Sequence, residues 1–440
     1  MRALLERLGL HRPELRAWAL YDWANSAFWT TIVAAVFPIY FTRVAASDLP
    51  PASATARFAT ATTLAMVAIA VLSPLLGAMA DFAGWKKKML GAFVAIGVVA
   101  TAAMYFIGRG DWELALLLFA IGNIGVTGSL VFYESLLPHV AREEERDMVA
   151  SAGFALGYLG GGLLLAVNLL AIQKPELLGI SDSATATRLS FLSVALWWLG
   201  FSIPLFRQVR EPERRLSADE TGAESAIRVA FTRLSETFRE ISIYRQAFLM
   251  LVAFLIYNDG ILTIIRMATS YGTEVGIDQS VLISALLLTQ AVGIPFAFLF
   301  GWLAERMTAK RAILLSLGVY VLVTLVGYRL KTARDFYLLA FLVGTVQGGS
   351  QALSRSLFST LIPAHKSAEF FAFFGVFDKF AGIFGPALFA ATIAATGSGR
   401  NAVLATVGFF LVGGVLLALV DVEAGRKAAR EAEAKLSSRG

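Results

Sequence analysis

Cysteine is absent from the 440 residues. That excludes disulfides, thiol nucleophiles, thiolate zinc sites and iron–sulfur clusters together. Histidine occurs three times, never at metal-ligand spacing, so neither a metal nor a cofactor is expected. Charge is scarce as well: Asp, Glu, Lys and Arg make up 16% of the chain, against about 25% in soluble globular proteins. No Walker A loop, GxSxG elbow or HExxH helix occurs, so ATP hydrolysis and common hydrolase chemistry have no carrier. An embedded enzyme would also need a base–nucleophile pair at sensible spacing, and none is present. The opening stretch MRALLERLGLHRPELRAW lacks the uninterrupted apolar core and cleavage pattern of a signal peptide. It reads as a short cytoplasmic lead-in, 1–16.

What is abundant is apolar: 57% of residues are hydrophobic. Twelve segments are apolar enough to cross a bilayer, near 17–43, 58–80, 89–108, 112–135, 149–170, 188–206, 246–270, 280–303, 311–329, 335–358, 369–394 and 401–421. An even number puts both termini on one side. Of the 38 Lys and Arg residues, 26 then fall in segments on the N-terminal side and 9 in the opposite loops, with Arg266, Arg355 and Lys379 inside apolar segments. The positive-inside rule makes the N-terminal side cytoplasmic. The net charge of +6 follows from this topology and implies no nucleic-acid partner.

The expected fold is an all-α membrane protein of 12 transmembrane helices in two six-helix bundles, 17–206 and 246–421, with both termini cytoplasmic. Between them 207–245 is a cytoplasmic linker. Its second half places Ile227, Phe231, Leu234, Phe238 and Ile241 on one helical face, as in a helix lying in the headgroup plane. A charged tail, 422–440, follows.

The halves repeat. GAMADFAGWKKKML (77–90) and GWLAERMTAKRAIL (301–314) share a glycine, an acid and a basic pair: Gly77, Asp81, Lys86 and Lys87 against Gly301, Glu305, Lys310 and Arg311. Gly84 and Arg306 belong to the same loops. The repeat departs at Thr308, which stands opposite Gly84, and Phe82 sits where a basic residue is frequent. Farther on, Pro138, Gly157 and Gly160 match Pro363, Gly382 and Gly385. Two parallel copies imply a pseudo-twofold axis along the membrane normal and a site where they meet.

Polar residues inside apolar segments mark that site. Asp22, Asn25, Ser26 and Trp29 lie at i, i+3, i+4 and i+7 of the first helix, hence on one face. A carboxylate there costs at least about 2.5–3.5 kcal/mol on insertion scales and is normally kept for a pathway or a partner. The fourth helix carries Asn123, Thr127 and Glu134. The seventh has Tyr257, Asn258, Asp259, Thr263, Arg266 and Ser270, and the tenth has Gln347, Gln351, Ser354 and Arg355. Such a lining of acids, amides and arginine suits a small solute bearing an ammonium and a carboxylate. Asp22 and Asp259 are the proton-coupling candidates, because desolvation can lift a carboxyl toward the working range. Interhelical bonding is the alternative for any of these residues. Glu134 and Arg355 lie near helix ends and suit gating or capping. Glycines 153, 157, 160, 161 and 162, and 375, 382 and 385 with Pro386, suggest close helix packing. His139 and His365, beside Pro138 and Pro363, read as surface residues of the loops.

The glycine–acid–basic loops in a 6+6 chain resemble the major facilitator superfamily over the whole length. YDWANSAF followed by VFPIYF resembles one branch, the autophagy-related vacuolar amino-acid effluxers and their bacterial relatives, mainly through the first helix. The resemblance implies that helices 1, 4, 7 and 10 line a central cavity. It also implies that Asp81 and Glu305 each face a helix N-terminus of the other half, as a cytoplasmic gate. On this reading the chain is a secondary active transporter in a bacterial inner membrane, most simply monomeric. It would export an amino acid by alternating access with proton coupling. A non-transporting sensor or scaffold and a lipid translocase are the other classes open to the fold.

Overall fold

The computed structural model describes residues 2–49, 51–213, 232, 244–381 and 384–437. The amphipathic linker face therefore lies outside the described residues, as do the side chains of Arg266, Lys379 and Pro386 and all of Gly382. The described chain is helical throughout. We number α1 (Pro13–Ala45), α2 (Pro51–Ala83), α3 (Lys86–Phe106), α4 (Trp112–Ser135), α5 (Arg146–Gln173) and α6 (Ser183–Gln208) in the first half. The second half holds α7 (Arg245–Glu274), α8 (Gln279–Met307), α9 (Ala309–Tyr328) and α10 (Ala333–Thr360). It continues with α11 (Ser367–Phe380), α12 (Phe384–Thr396), α13 (Gly399–Leu419) and the tail helix α14 (Val422–Ser437).

Eleven helices among the described residues are long and apolar enough to cross a membrane. The remaining expected segment, 369–394, forms two shorter helices, α11 and α12. The chain turns extended at Ala381, with φ −61° and ψ 136°. The new helix start at α12 leaves backbone N–H groups without intrahelical acceptors, and the Asp259 carboxylate accepts from Phe384 at 3.1 Å and Gly385 at 2.9 Å.

The inter-half contacts obey the repeat. α11 packs on α2 and α4, and α5, its counterpart, packs on α8 and α10. The repeated glycines explain why these helices approach so closely. A Cβ on Gly77 would lie 2.5 Å from the Ala368 carbonyl oxygen, and one on Gly301 would lie 2.9 Å from Ser151 Cβ. Within the first half, the α5 glycines seat α1. Added methyls at Gly153, Gly157 and Gly160 would meet Asp22 Oδ2, Ser26 Oγ and the Trp23 ring at 2.5–2.7 Å. Gly162 meets nothing within 4 Å, so it has no such packing reason.

Helix α1 is unusual past Ala27. It widens into π-helix over Phe28–Val36 and again over Phe41–Ala45, on either side of Phe37–Tyr40. Pro38 donates no hydrogen bond to the preceding turn, and Thr30 Oγ1 bonds the Ser26 carbonyl and that of Gly161 in α5. Wide turns of this kind occur mostly as short bulges and often at functional sites.

Both chain ends share one face. Arg12 bonds Glu145 in the α4–α5 connection at 2.6 Å, and Arg430 of α14 bonds Glu143 in the same connection at 2.8 Å. We call this the terminal face.

Candidate functional site

One member of each polar stripe of α1, α4 and α10, namely Asp22, Glu134 and Arg355, meets near the terminal face, and the meeting point joins the two halves. Arg355 of α10 reaches from the second half into the first. Its Nη2 donates to Asp22 Oδ2 at 3.1 Å and lies 3.4 Å from the Ala150 carbonyl oxygen, while Nη1 is 3.7 Å from Glu134 Oε1. Tyr133 Oη donates to the same Asp22 oxygen at 3.0 Å, and Asn25 Nδ2 sits 3.5 Å from the other one. The guanidinium carbon lies 5.0 Å from the Trp18 ring, 5.5 Å from Tyr133 and 4.7 Å from Phe154. Arg355 is only 3% exposed and Asp22 8%. In such a setting removing one charge is far more damaging than keeping both, because the survivor stays buried without a counterion.

The other predicted residues divide. Ser26 packs under Gly157, and Trp29 stands edge-on to Phe28. Asn123 donates to the Phe119 carbonyl, leaving Oδ1 buried with no partner, and Thr127 Oγ1 is likewise buried and unpartnered. Gln347 and Gln351 are half-buried on α10. Tyr257 shares a 2.6 Å bond with Ser354, and Asn258 donates to Asp378 at 3.0 Å. Asp259 makes a contact that its spacing does not indicate. Its carboxylate is 1% exposed and caps α12, where positive helix-end dipoles favour a negative charge. That contact gives Asp259 a structural post at the start of α12.

The loop motif forms a second inter-half cluster. Asp81 and Lys86 pair at 2.7 Å with their side chains 0% and 4% exposed. Asp81 Oδ2 also accepts the Glu369 N–H at 2.8 Å, in the first turn of α11. The expectation that this acid faces a helix N-terminus of the other half therefore agrees with the geometry. Lys86 Nζ donates to Ser367 Oγ at 2.8 Å and contacts His139 Nε2 at 2.9 Å. Ammonium has no acceptor, so Nε2 must be the accepting nitrogen. His139, expected to be a bystander, is part of the cluster, because α4 ends directly against α11: Ser367 Oγ also donates to the Ser135 carbonyl.

The second copy behaves differently. Glu305 is exposed, and among the described residues no ion pair or helix cap involves it. Lys310 Nζ bonds the carbonyls of Ala418 and Val420 at the end of α13. Its structural counterpart is Lys87, whose Nζ bonds those of Phe206 and Val209 at the end of α6, so Lys86 has no partner in the repeat. Arg306 lies over the Trp302 ring at 4.3 Å. Arg311 donates its backbone N–H to Thr308 Oγ1 at 3.4 Å. Gly84 and Thr308 share the positive φ that the turn needs, 66° and 86°. Nearby, Glu211 accepts the Lys87 backbone N–H at 3.0 Å, and burial still pushes its carboxyl above the usual range.

Two parallel helical repeats meeting at buried ionic clusters make up the fold, and solved structures share it. The chain is similar in fold to the human organic anion transporter MFSD10 (TETRAN), with a TM-score of 0.67 and 15% identity over 92% of this chain and 99% of that one. It is likewise similar to a variant of the Escherichia coli fucose:proton symporter FucP, TM-score 0.64, 14% identity, 93% and 98% covered. The family is shown by sequence. Residues 52–430 match the family described as "Vacuole effluxer Atg22 like", and the chain belongs to it. It is 40% identical over 410 residues to "Uncharacterized MFS-type transporter YxiO" of Bacillus subtilis, covering 92% of this chain and 94% of the relative. It is 23% identical to "Autophagy-related protein 22" of Chaetomium globosum, covering 84% and 70%. The chain is thus an integral, multi-pass transporter and not an enzyme.

Proposed function

We propose that the chain exports a small zwitterion, most simply an amino acid, by alternating access coupled to protons. The halves 17–206 and 246–421 rock about a shared site, with α11 and α12 together as the twelfth crossing. The terminal face is cytoplasmic in this reading, and the membrane is a bacterial inner membrane. The arrangement described is then closed on the cytoplasmic side.

One observation carries the reading: Arg355 of one half is held on Asp22 of the other inside the bundle. As long as they touch, the two charges compensate each other. When the halves part, the carboxylate loses its counterion and can take a proton, so charge state and conformation are linked. The match to a family described as vacuole effluxers supports export, and the buried polar residues Asp22, Asn123 and Thr127 support an amino acid over a lipid.

Counterflow of a panel of radiolabelled amino acids into proteoliposomes, repeated under an imposed pH gradient, tests this. Wild type should show flux and gradient dependence, and Asp22→Asn should lose the gradient dependence. Asp259→Asn, which retains an oxygen acceptor for α12, should keep it. Binding without flux would favour a sensor, and unchanged coupling in Asp22→Asn would remove the proton role.

A further inference from the structure

The groups that meet the Arg355 guanidinium belong to the first half. Trp18 and Asp22 come from α1, Tyr133 and Glu134 from α4, Phe154 and Gly153 from α5. Contacts that do not involve Arg355 hold them in place. Trp18 stacks on Tyr133 at 4.5 Å and 18°, Trp18 Nε1 donates to the Tyr133 carbonyl at 3.0 Å, and Tyr21 lies 4.7 Å from Tyr133 while bonding Ser129. Gly153 keeps the floor open, since a Cβ there would lie 2.5 Å from Asp22 Oδ2 and 3.5 Å from Arg355 Nη2. Three aromatic rings and two carboxylates around one space form a receptor for a flat cation, by ring quadrupole and by charge-assisted hydrogen bonds.

We propose that this acid–aromatic box is a binding site for an organic cation of the guanidinium type, and that Arg355 is its intramolecular stand-in. The occupant fits incompletely. Nη1 and Nη2 are engaged, but Nε is buried with no hydrogen-bond partner, and one positive charge faces both Asp22 and Glu134. A free guanidinium is not tied to a helix backbone and can turn all its N–H groups toward those acceptors. When the halves part, α10 withdraws Arg355, and a solute's cationic group takes the vacated box; on closing, Arg355 displaces it. The inference deepens the carrier reading by narrowing the solute to one whose cationic group is a guanidinium. It rests on that reading only in requiring the halves to separate.

The test reads occupancy instead of flux. Purified Arg355→Ala in detergent is titrated with methylguanidinium chloride, with methylurea as the neutral isostere, and with methylammonium and sodium chloride at matched ionic strength. Thermal unfolding is followed throughout. Methylguanidinium should raise the midpoint saturably, with half-saturation at least about tenfold lower in Arg355→Ala than in wild type, where the site is filled. Methylurea and sodium chloride should do nothing, and adding Asp22→Asn should abolish the effect. Equal responses to methylguanidinium and methylurea, an equal response to methylammonium, or an effect that survives Asp22→Asn would overturn the proposal. Should Arg355→Ala not purify, Arg355→Gln, whose shorter neutral side chain leaves the guanidinium position vacant, takes the same titration with the same expectations. Transport failing while this titration succeeds would remove the carrier reading and leave the box, and the reverse result would do the opposite.

Discussion

Lys86→Met isolates what the loop motif does. The mutation leaves Asp81, whose side chain is fully buried, with the Glu369 N–H but no counterion. Breaking a buried pair by removing one partner costs about 3–5 kcal/mol. The cost falls on the closed terminal face alone, because Asp81 gains water once α2 and α11 separate. The closed-to-open ratio should then fall about 150- to 5,000-fold, at 1.36 kcal/mol per factor of ten. Glu305→Gln, at the matching position of the other half, alters an exposed group and should stay within about ±0.5 kcal/mol. Asp81→Asn combined with Lys86→Met removes both charges and should recover most of the closed population. The absence of native cysteine makes the assay direct. Cysteines introduced at the exposed positions Glu144 and Arg306 carry spin labels, and pulsed dipolar distances report separation of the halves. Identical distance distributions for Lys86→Met and Glu305→Gln, both monodisperse, would refute the reasoning.

Other substitutions test single contacts. Gly77→Ala should cost about 1–3 kcal/mol by overpacking against Ala368, whereas Gly162→Ala, in open space, should be neutral or gain about 0.5–1 kcal/mol from helix propensity; thermal unfolding of the pair in one detergent compares them. Thr308 holds φ 86° and ψ 147°, a region nearly reserved for glycine, so Thr308→Gly should stabilise by about 1 kcal/mol despite losing its bond to Arg311. Asp182 accepts from Thr185 N at 2.8 Å at the start of α6, and these hydrogen bonds hold its carboxyl down at about 2. A lowered folded value stabilises above the unfolded value of 3.8 and is lost as pH falls through about 2, so the deficit of Asp182→Ala in unfolding midpoint should be full at pH 7 and shrink across that window.

Much of this was legible because hydropathy and spacing are local. The segments and the repeat follow from periodicity in a chain with few charges, while the inter-half contact of Asp81 comes from the family resemblance of its loop. Asp22 announced itself as a carboxylate in an apolar run, but its box did not. Tyr133 and Phe154 look like ordinary membrane aromatics until three helices bring them around one guanidinium, and only Trp18, one turn before Asp22, gave a local hint. The contact made by Asp259 was hidden for the same reason. Its partner is a helix start about 125 residues away, invisible until α11 and α12 are seen to be separate. The repeat also concealed a difference. Glycine spacing survives in both loops because sterics at two close crossings demand it, whereas an exposed Glu305 shows that charge placement was free to diverge.

That divergence bears on how a carrier keeps moving. Two buried ionic clusters join the halves at the terminal face: Asp81–Lys86 through Glu369 and Ser367 of α11, and Asp22 with Glu134 through Arg355. Were they apolar patches of equal size, closure would deepen with every Å² buried, by about 25 cal/mol. Ionic clusters work otherwise: desolvation nearly cancels attraction when both partners are present, yet a mismatch is heavily penalised. They fix the register of the closed state without making it deep. A solute must supply about 5.5 kcal/mol of differential binding to take a two-state equilibrium from 1:99 to 99:1. Small ligands can meet that figure only where the unliganded states lie close in energy. A second buried pair at Glu305 would sharpen the register no further, while adding another pair to desolvate at each closure, and its absence leaves the two states within a solute's reach.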